Sequence, residues 1–135
     1  MSFSNWMENI VLNHIFSKAV YSPGPLWLGL CTNHPGEGAT GGSCNEVANS
    51  NGYTRMQTSS TSWTTAAAGQ IANALEIAFP LATGNWGTVK YFVLLNAGTY
   101  GIGNVLLYGE LTTYRQIISG YQAKFPPSSL IVQLD

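Results

Sequence analysis

Charge is what this sequence has least of. Its 135 residues include five Lys or Arg and six Asp or Glu, 8% together, for a net charge of −1, against about 25% charged residues in a typical soluble domain. The five cations, Lys18, Arg55, Lys90, Arg115 and Lys124, are strewn singly along the chain, whereas a surface that tracks a phosphate backbone needs them clustered. Direct nucleic-acid binding is therefore not expected. No apolar run approaches the roughly 20 residues that span a bilayer. The opening stretch "MSFSNWMENIVLNHIF" has no basic segment ahead of an apolar one, so neither signal-peptide export nor membrane insertion is expected.

The groups that usually carry chemistry are equally scarce. The only Asp is Asp135, and the Glu residues fall in separate elements, which leaves no pair of carboxylates for hydrolysis. Glu37 and Glu46 share a loop with His34 and form the sole local acid–base group, for which solvated loop residues are the ordinary reading. The other histidine, His14, belongs to a helical apolar stripe. No GxSxG, HExxH, GxxxxGK[ST] or GxGxxG pattern occurs, and "GEGATGG" lacks the Lys and following helix of a phosphate loop. Asp is missing from every loop, which excludes a calcium loop. No catalytic residue, metal or cofactor is expected. The two cysteines, Cys31 and Cys44, match no zinc or CxxC spacing. In a reducing cytosol they are read as independent thiols, while a bond formed later, outside the cell, stays open.

What the chain does have is Gly, Ser, Thr and Asn in place of charge, with an ordinary 45% apolar share. Such a surface offers little electrostatic repulsion to partners. The length fits one domain with one core. Phe3, Met7, Ile10, Val11, His14 and Ile15 recur at helical spacing behind an Asn5/Glu8 capping box, which predicts a helix over about 4–19. "YSPGP" stops it. From about residue 26 to 135 the pattern is of strands. "LWLGLCT" alternates, a short strand fits Tyr53 to Thr58, Leu75 to Phe79 alternates up to Pro80, and "VLLYGEL" forms a hairpin with the strand from Val89 to Leu95. Arg115 to Ile118, Gln122 to Phe125 and Leu130 to Leu134 add three short strands, and the Ala-rich start at Ala66 to Ala74 is open between helix and strand. Many short strands with turn signals predict a mainly β, single-domain, jelly-roll-like β-sandwich with one N-terminal α-helix.

Two segments attract functional attention. The strand at Val89–Leu95 is apolar on both faces, which implies burial on two sides or a face meeting another chain. The Gly-, Asn- and Ser-rich loop from Asn33 to Gly52 exceeds the about 12–15 residues beyond which loops are usually functional or disordered. Trp63, in a Ser/Thr-rich connection, is the one Trp expected at the surface, and it keeps sugar stacking open as an alternative.

"SNWMENIVLNHIF", "LWLGLCTNHPGEG…NEVANSNGYTRM" and "IAFPLATGNWGTVKYFVLLNAGTYGIGNVLLYGELT" resemble a family of small tailed-bacteriophage virion proteins often labelled tail-fibre-like. The resemblance covers about Ser4 to Thr112 and rests on Ser4, Asn5, Glu8, Asn9, His14, Gly29, Leu30, Thr32, Pro35, Tyr53 and Arg55, then on Phe79, Pro80, Thr83, Trp86, Gly87, Gly103, Asn104 and Gly109. Asn96 stands where the pattern has Asp before the Ala-Gly turn. The resemblance implies a non-enzymatic virion component, assembled in the host cytoplasm. Compactness without a shaft or repeats favours a capsid decoration or cement protein on the major capsid protein, as a homo-oligomer such as a trimer. A tail-fibre or baseplate component and a lectin-like module are the alternatives. Expected contacts are the helix, with Phe3, Trp6, His14 and Phe16, and the long loop, with His34, Glu37 and Glu46. A helix capping the end of its own sandwich beside a disordered loop is the competing reading.

Overall fold

A computed structural model describes residues 1–134. In chain order its elements are β1 (Ser2–Phe3), α1 (Asn5–Ile15), β2 (Leu26–Cys31), β3 (Met56–Thr58), β4 (Gln70–Ala72), β5 (Ile77–Ala78), β6 (Gly87–Leu95), β7 (Val105–Ile117), β8 (Lys124–Phe125) and β9 (Ile131–Gln133). Five of the strands form one antiparallel sheet in the order β1-β7-β6-β2-β3, and the others pair as two ribbons, β4-β9 and β5-β8. The protein is thus mainly β, in a single domain, with one helix. The sheet's second layer is these two ribbons together with long ordered segments, so it is less regular than the second sheet of a jelly roll.

The two-sided apolar pattern of β6 has a direct cause. On one face Leu28, Leu30, Phe92, Leu94 and Leu107 pack with Phe79, Leu130 and Val132 from the ribbon layer. On the other, Cys31, Val93, Leu95, Val105 and Tyr108 pack with Ala39 and Cys44 of the long loop. Burial on two sides is therefore provided by the chain itself. The 33–52 loop is no disordered tract, for it pairs through Thr40 with Asn104 and through Glu46 with Cys31, and Val47 is buried beneath it.

Several boundaries differ from the sequence reading. Ser4, not Asn5, caps α1, its Oγ accepting from Met7 N, and the helix closes at Ile15 because Ser17 turns left-handed at φ 57° and Lys18 N returns to Asn13 O at 2.8 Å. The Ala-rich segment holds a strand, not a helix, since Ala68 and Gly69 at φ 51° and 74° reverse the chain and fold β4 back on Trp63–Ala67, while its other edge pairs with β9. The sequence pattern splits β7 in two at Thr112–Tyr114, but the strand runs 13 residues. Its register against β6 jumps from Tyr91↔Glu110 to Val89↔Arg115, so Leu111–Tyr114 bulge outward opposite Lys90.

Gly29 of β2 is needed for space. A Cβ there would lie 3.0 Å from Glu46 Oε1, 3.1 Å from Val93 and 3.2 Å from Leu95. Gly29→Ala is expected to lower stability by about 1–3 kcal/mol, the usual range for overpacking, read as a shift of urea midpoint at unchanged slope. A similar fit explains Gly109, opposite Phe92 in the β6–β7 pair, where a Cβ would meet the Phe92 ring at 2.5 Å.

Candidate functional site

The densest polar arrangement lies inside the protein. Tyr53 and Arg55, two residues apart on the extended approach to β3, direct their side chains to Glu46 of the long loop. Arg55 Nη2 meets Glu46 Oε2 at 2.8 Å and Nε meets Oε1 at 2.9 Å, with side chains only 1% and 2% exposed. Arg55 Nη1 also donates to the carbonyls of Ala97, Thr99 and Ile102 at 2.7, 2.9 and 2.9 Å, and Nη2 to Gly41 O at 3.3 Å. One guanidinium thus joins the β6–β7 turn to the loop over the sheet. Tyr53 Oη donates to Glu46 Oε1 at 2.6 Å and accepts from Leu30 N at 3.0 Å. Burial, then the Glu46 charge, pushes the Tyr53 phenol far above its ordinary range. Burial opposes the Arg55 charge, but the bond to Glu46 and its negative charge outweigh it and leave the guanidinium pKa raised. With every donor matched, this cluster offers no free acid, base or nucleophile. Its chemistry is that of a cross-brace. Glu46, read as a solvated loop residue and a contact residue, points into the protein's own interior.

Cys31 and Cys44 are not independent. Both are buried free thiols in one cluster with Val93, Leu95 and Val105. The neighbouring Cys44 thiol, then burial, pushes Cys31 up, while Cys31 draws Cys44 down.

The remaining residues singled out in the sequence fall into two regions. Ser4 N and Oγ reach Leu106 O and Val105 O, so β1 and the start of α1 sit on the edge of β7. Phe3 is half-buried against the core, and Trp6 is half-buried. The Glu37 carbonyl accepts from Asn5 N at 2.9 Å, while its side chain is in solvent. His34 stands edge-on between Tyr91 and Tyr108 at 5.2 and 5.1 Å, its Nδ1 accepting from Gly36 N. His14 is exposed, and its Nδ1 accepts from Tyr21 N at 3.2 Å, fastening the segment after the helix. The helix buries no residue fully, Met7, Ile10 and Val11 being half-buried like Trp6. Leu12, Ile15 and Phe16 are 54%, 65% and 68% exposed, with Val20 beyond them at 87%.

The motif residues are structural. Phe79 is wholly buried next to the half-buried Pro80. Trp86 Nε1 donates to Asn51 O at 2.8 Å, and Gly87 adopts φ 85° to start β6. Gly103, at φ 93°, and Asn104 close the β6–β7 turn, where Asn96 Oδ1 accepts from Asn104 N at 2.7 Å, the task an Asp would perform. Trp63 is half-buried, packed on the core with Nε1 bonded to Thr58 Oγ1 at 3.1 Å. Its ring is therefore partly committed to the core and only partly exposed. A groove of about 1090 Å³ opens beside the β7 bulge, lined by Leu111, Tyr114, Tyr121, Phe125 and Ile131. Among the described residues no group of His, Cys, Asp and Glu could hold a metal, and no helix is long and apolar enough to cross a membrane.

A family model described as Podophage GP4 fiber I protein gp80 matches residues 2–133. The chain belongs to that family. Fibre I proteins are tailed-phage virion structural proteins, in agreement with the resemblance seen in the motifs, and the match extends past Thr112 through the ribbons to β9. No curated protein matches the chain. Within the fibre I match fall both the internal cross-brace and the exposed face of α1.

Proposed function

We propose that this protein is a non-enzymatic structural component of a phage fibre that attaches to another virion protein through the outer face of α1. The observation that carries the reading is that face: a capped helix with no buried residue presents Leu12, Ile15 and Phe16 to solvent. An amphipathic helix with apolar anchors at such spacing suits a hydrophobic groove on a partner, and exposed apolar residues gathered together mark interaction sites. The partner on this reading is a tail protein. The family's description supports the fibre location.

A second reading, decoration of the head on the major capsid protein, is favoured by the compact β domain that residues 1–134 form. Immunogold labelling of virions, together with gradient-separated tails and DNA-filled heads, distinguishes the two. Label on tails alone supports the fibre reading, label on head faces supports decoration, and no label on either rejects both. The triple variant Leu12→Ser, Ile15→Ser, Phe16→Ser is expected to stay within about 0.5 kcal/mol of the parent per substitution, as for surface changes, yet to be lost from purified virions. Undiminished incorporation would exclude α1 as the attachment face.

A further inference from the structure

We propose that Cys31 and Cys44 form a disulfide site that closes when the protein meets an oxidising environment, locking the long loop onto β2. The placement is set by backbone register. Cys31 pairs antiparallel with Glu46, flanked by Val47 N to Leu30 O and Thr32 N to Asn45 O at 2.9 and 3.0 Å. Cys44, two positions before Glu46, is thus the diagonal neighbour of Cys31 on the same face. Diagonal neighbours normally lie too far apart to bond, but Asn45 turns left-handed at φ 57° between them. Both cysteines lie in one buried cluster with Val93, Leu95 and Val105, so their side chains occupy a common apolar space between the loop and the sheet. A virion component leaves the reducing cytosol when the host cell opens, so the change of compartment that favours disulfides is met.

With a low-molecular-weight disulfide such as glutathione disulfide as oxidant, the reaction balances. The Cys44 thiolate, the readier of the two to ionise, attacks one oxidant sulfur and expels a glutathione thiolate. Cys31 then gives up its proton and displaces the second glutathione thiolate. Two protein thiols and one oxidant disulfide become one protein disulfide and two glutathione thiols.

Because the thiols are buried, the test refolds the full chain from denaturant in excess glutathione disulfide, so that access is not limiting. The expected product is a monomer lighter by two hydrogens, carrying no glutathione, with a thermal midpoint raised by about 10 °C over the reduced protein, as closure of a loop of about 15 residues implies. Addition of a reductant returns the lower midpoint. Cys44→Ser, with one thiol, shows neither the mass loss nor the shift. Stable glutathione adducts, disulfide-linked dimers, thiols that stay reduced, or an oxidised form no more stable than the reduced one would each overturn the proposal.

Discussion

Arg55→Met is expected to destabilise the fold by about 3–5 kcal/mol, the range for breaking a buried ion pair from one side. The pair is barely exposed, so solvent screening gives little relief. The substitution strands the Glu46 carboxylate and removes the Arg55 donor from the carbonyls of Gly41, Ala97 and Ile102, while Thr99 O keeps Ile102 N. Arg55→Lys should recover little, because an ammonium cannot reproduce the planar fork. The double variant Glu46→Gln, Arg55→Met removes the stranded charge and should be more stable than Arg55→Met alone. Urea unfolding of the four proteins checks this. A loss below about 0.5 kcal/mol in Arg55→Met, the level of an ordinary surface change, would show that the brace does not hold the loop.

Asn73→Asp should be comparably severe. Asn73 is wholly buried. Its Nδ2 donates to the carbonyls of Leu75, Phe125 and Pro126 at 2.9, 3.1 and 2.8 Å, and its Oδ1 accepts from Leu130 N at 2.9 Å. A carboxyl oxygen in place of the amide nitrogen would face three carbonyl oxygens, so a loss of at least about 3 kcal/mol is expected, against about 2–3 for Asn73→Ala, which removes these bonds without adding charge and leaves Pro126 O still paired with Ser129. The pH dependence separates the two variants. Burial among carbonyls raises the folded pKa of the introduced carboxyl above its unfolded value of about 3.9. Relative to Asn73→Ala, the Asp variant is therefore least impaired below that value and worsens as pH rises through the folded pKa. Thermal midpoints across pH decide it, and parallel profiles for both variants would refute the account.

Neither residue declares its role in the sequence. Arg55 and Glu46 look like isolated charges in a chain with few of them. The one local sign is that Tyr53 and Arg55 alternate toward one face of an extended segment, while the acid that pairs them sits in a Gly- and Asn-rich loop whose composition reads as disorder. The order of that loop comes from partners at 97–104, beyond any local pattern. Asn73 is disguised by its place between Ala72 and Ala74, since nothing local shows that Phe125, Pro126 and Leu130 return to it. By contrast β6 and the start of β7 were plain because they alternate and pair across the turn at Asn96–Asn104, and β2 was plain from its own alternation although its partner β6 is distant in sequence. The bulge at Leu111–Tyr114 escaped because a run of extra residues leaves each half of β7 looking like a separate short strand. The outer residues of α1 were legible as apolar, but their exposure follows only from where β7 seats the helix.

The seat of β1 has a consequence for biosynthesis. Ser4 bonds to Val105 across 101 residues, and Ser2 and Phe3 pair with Tyr108 and Leu107. The stretch that leaves the ribosome early must wait, unpaired, until most of the chain has followed. Its strand and the helix fused to it can dock only after the β6–β7 hairpin exists, so during translation the apolar N-terminal segment and the bare rim of the growing sheet are exposed together, the interval in which a nascent chain is most prone to associate with its neighbours.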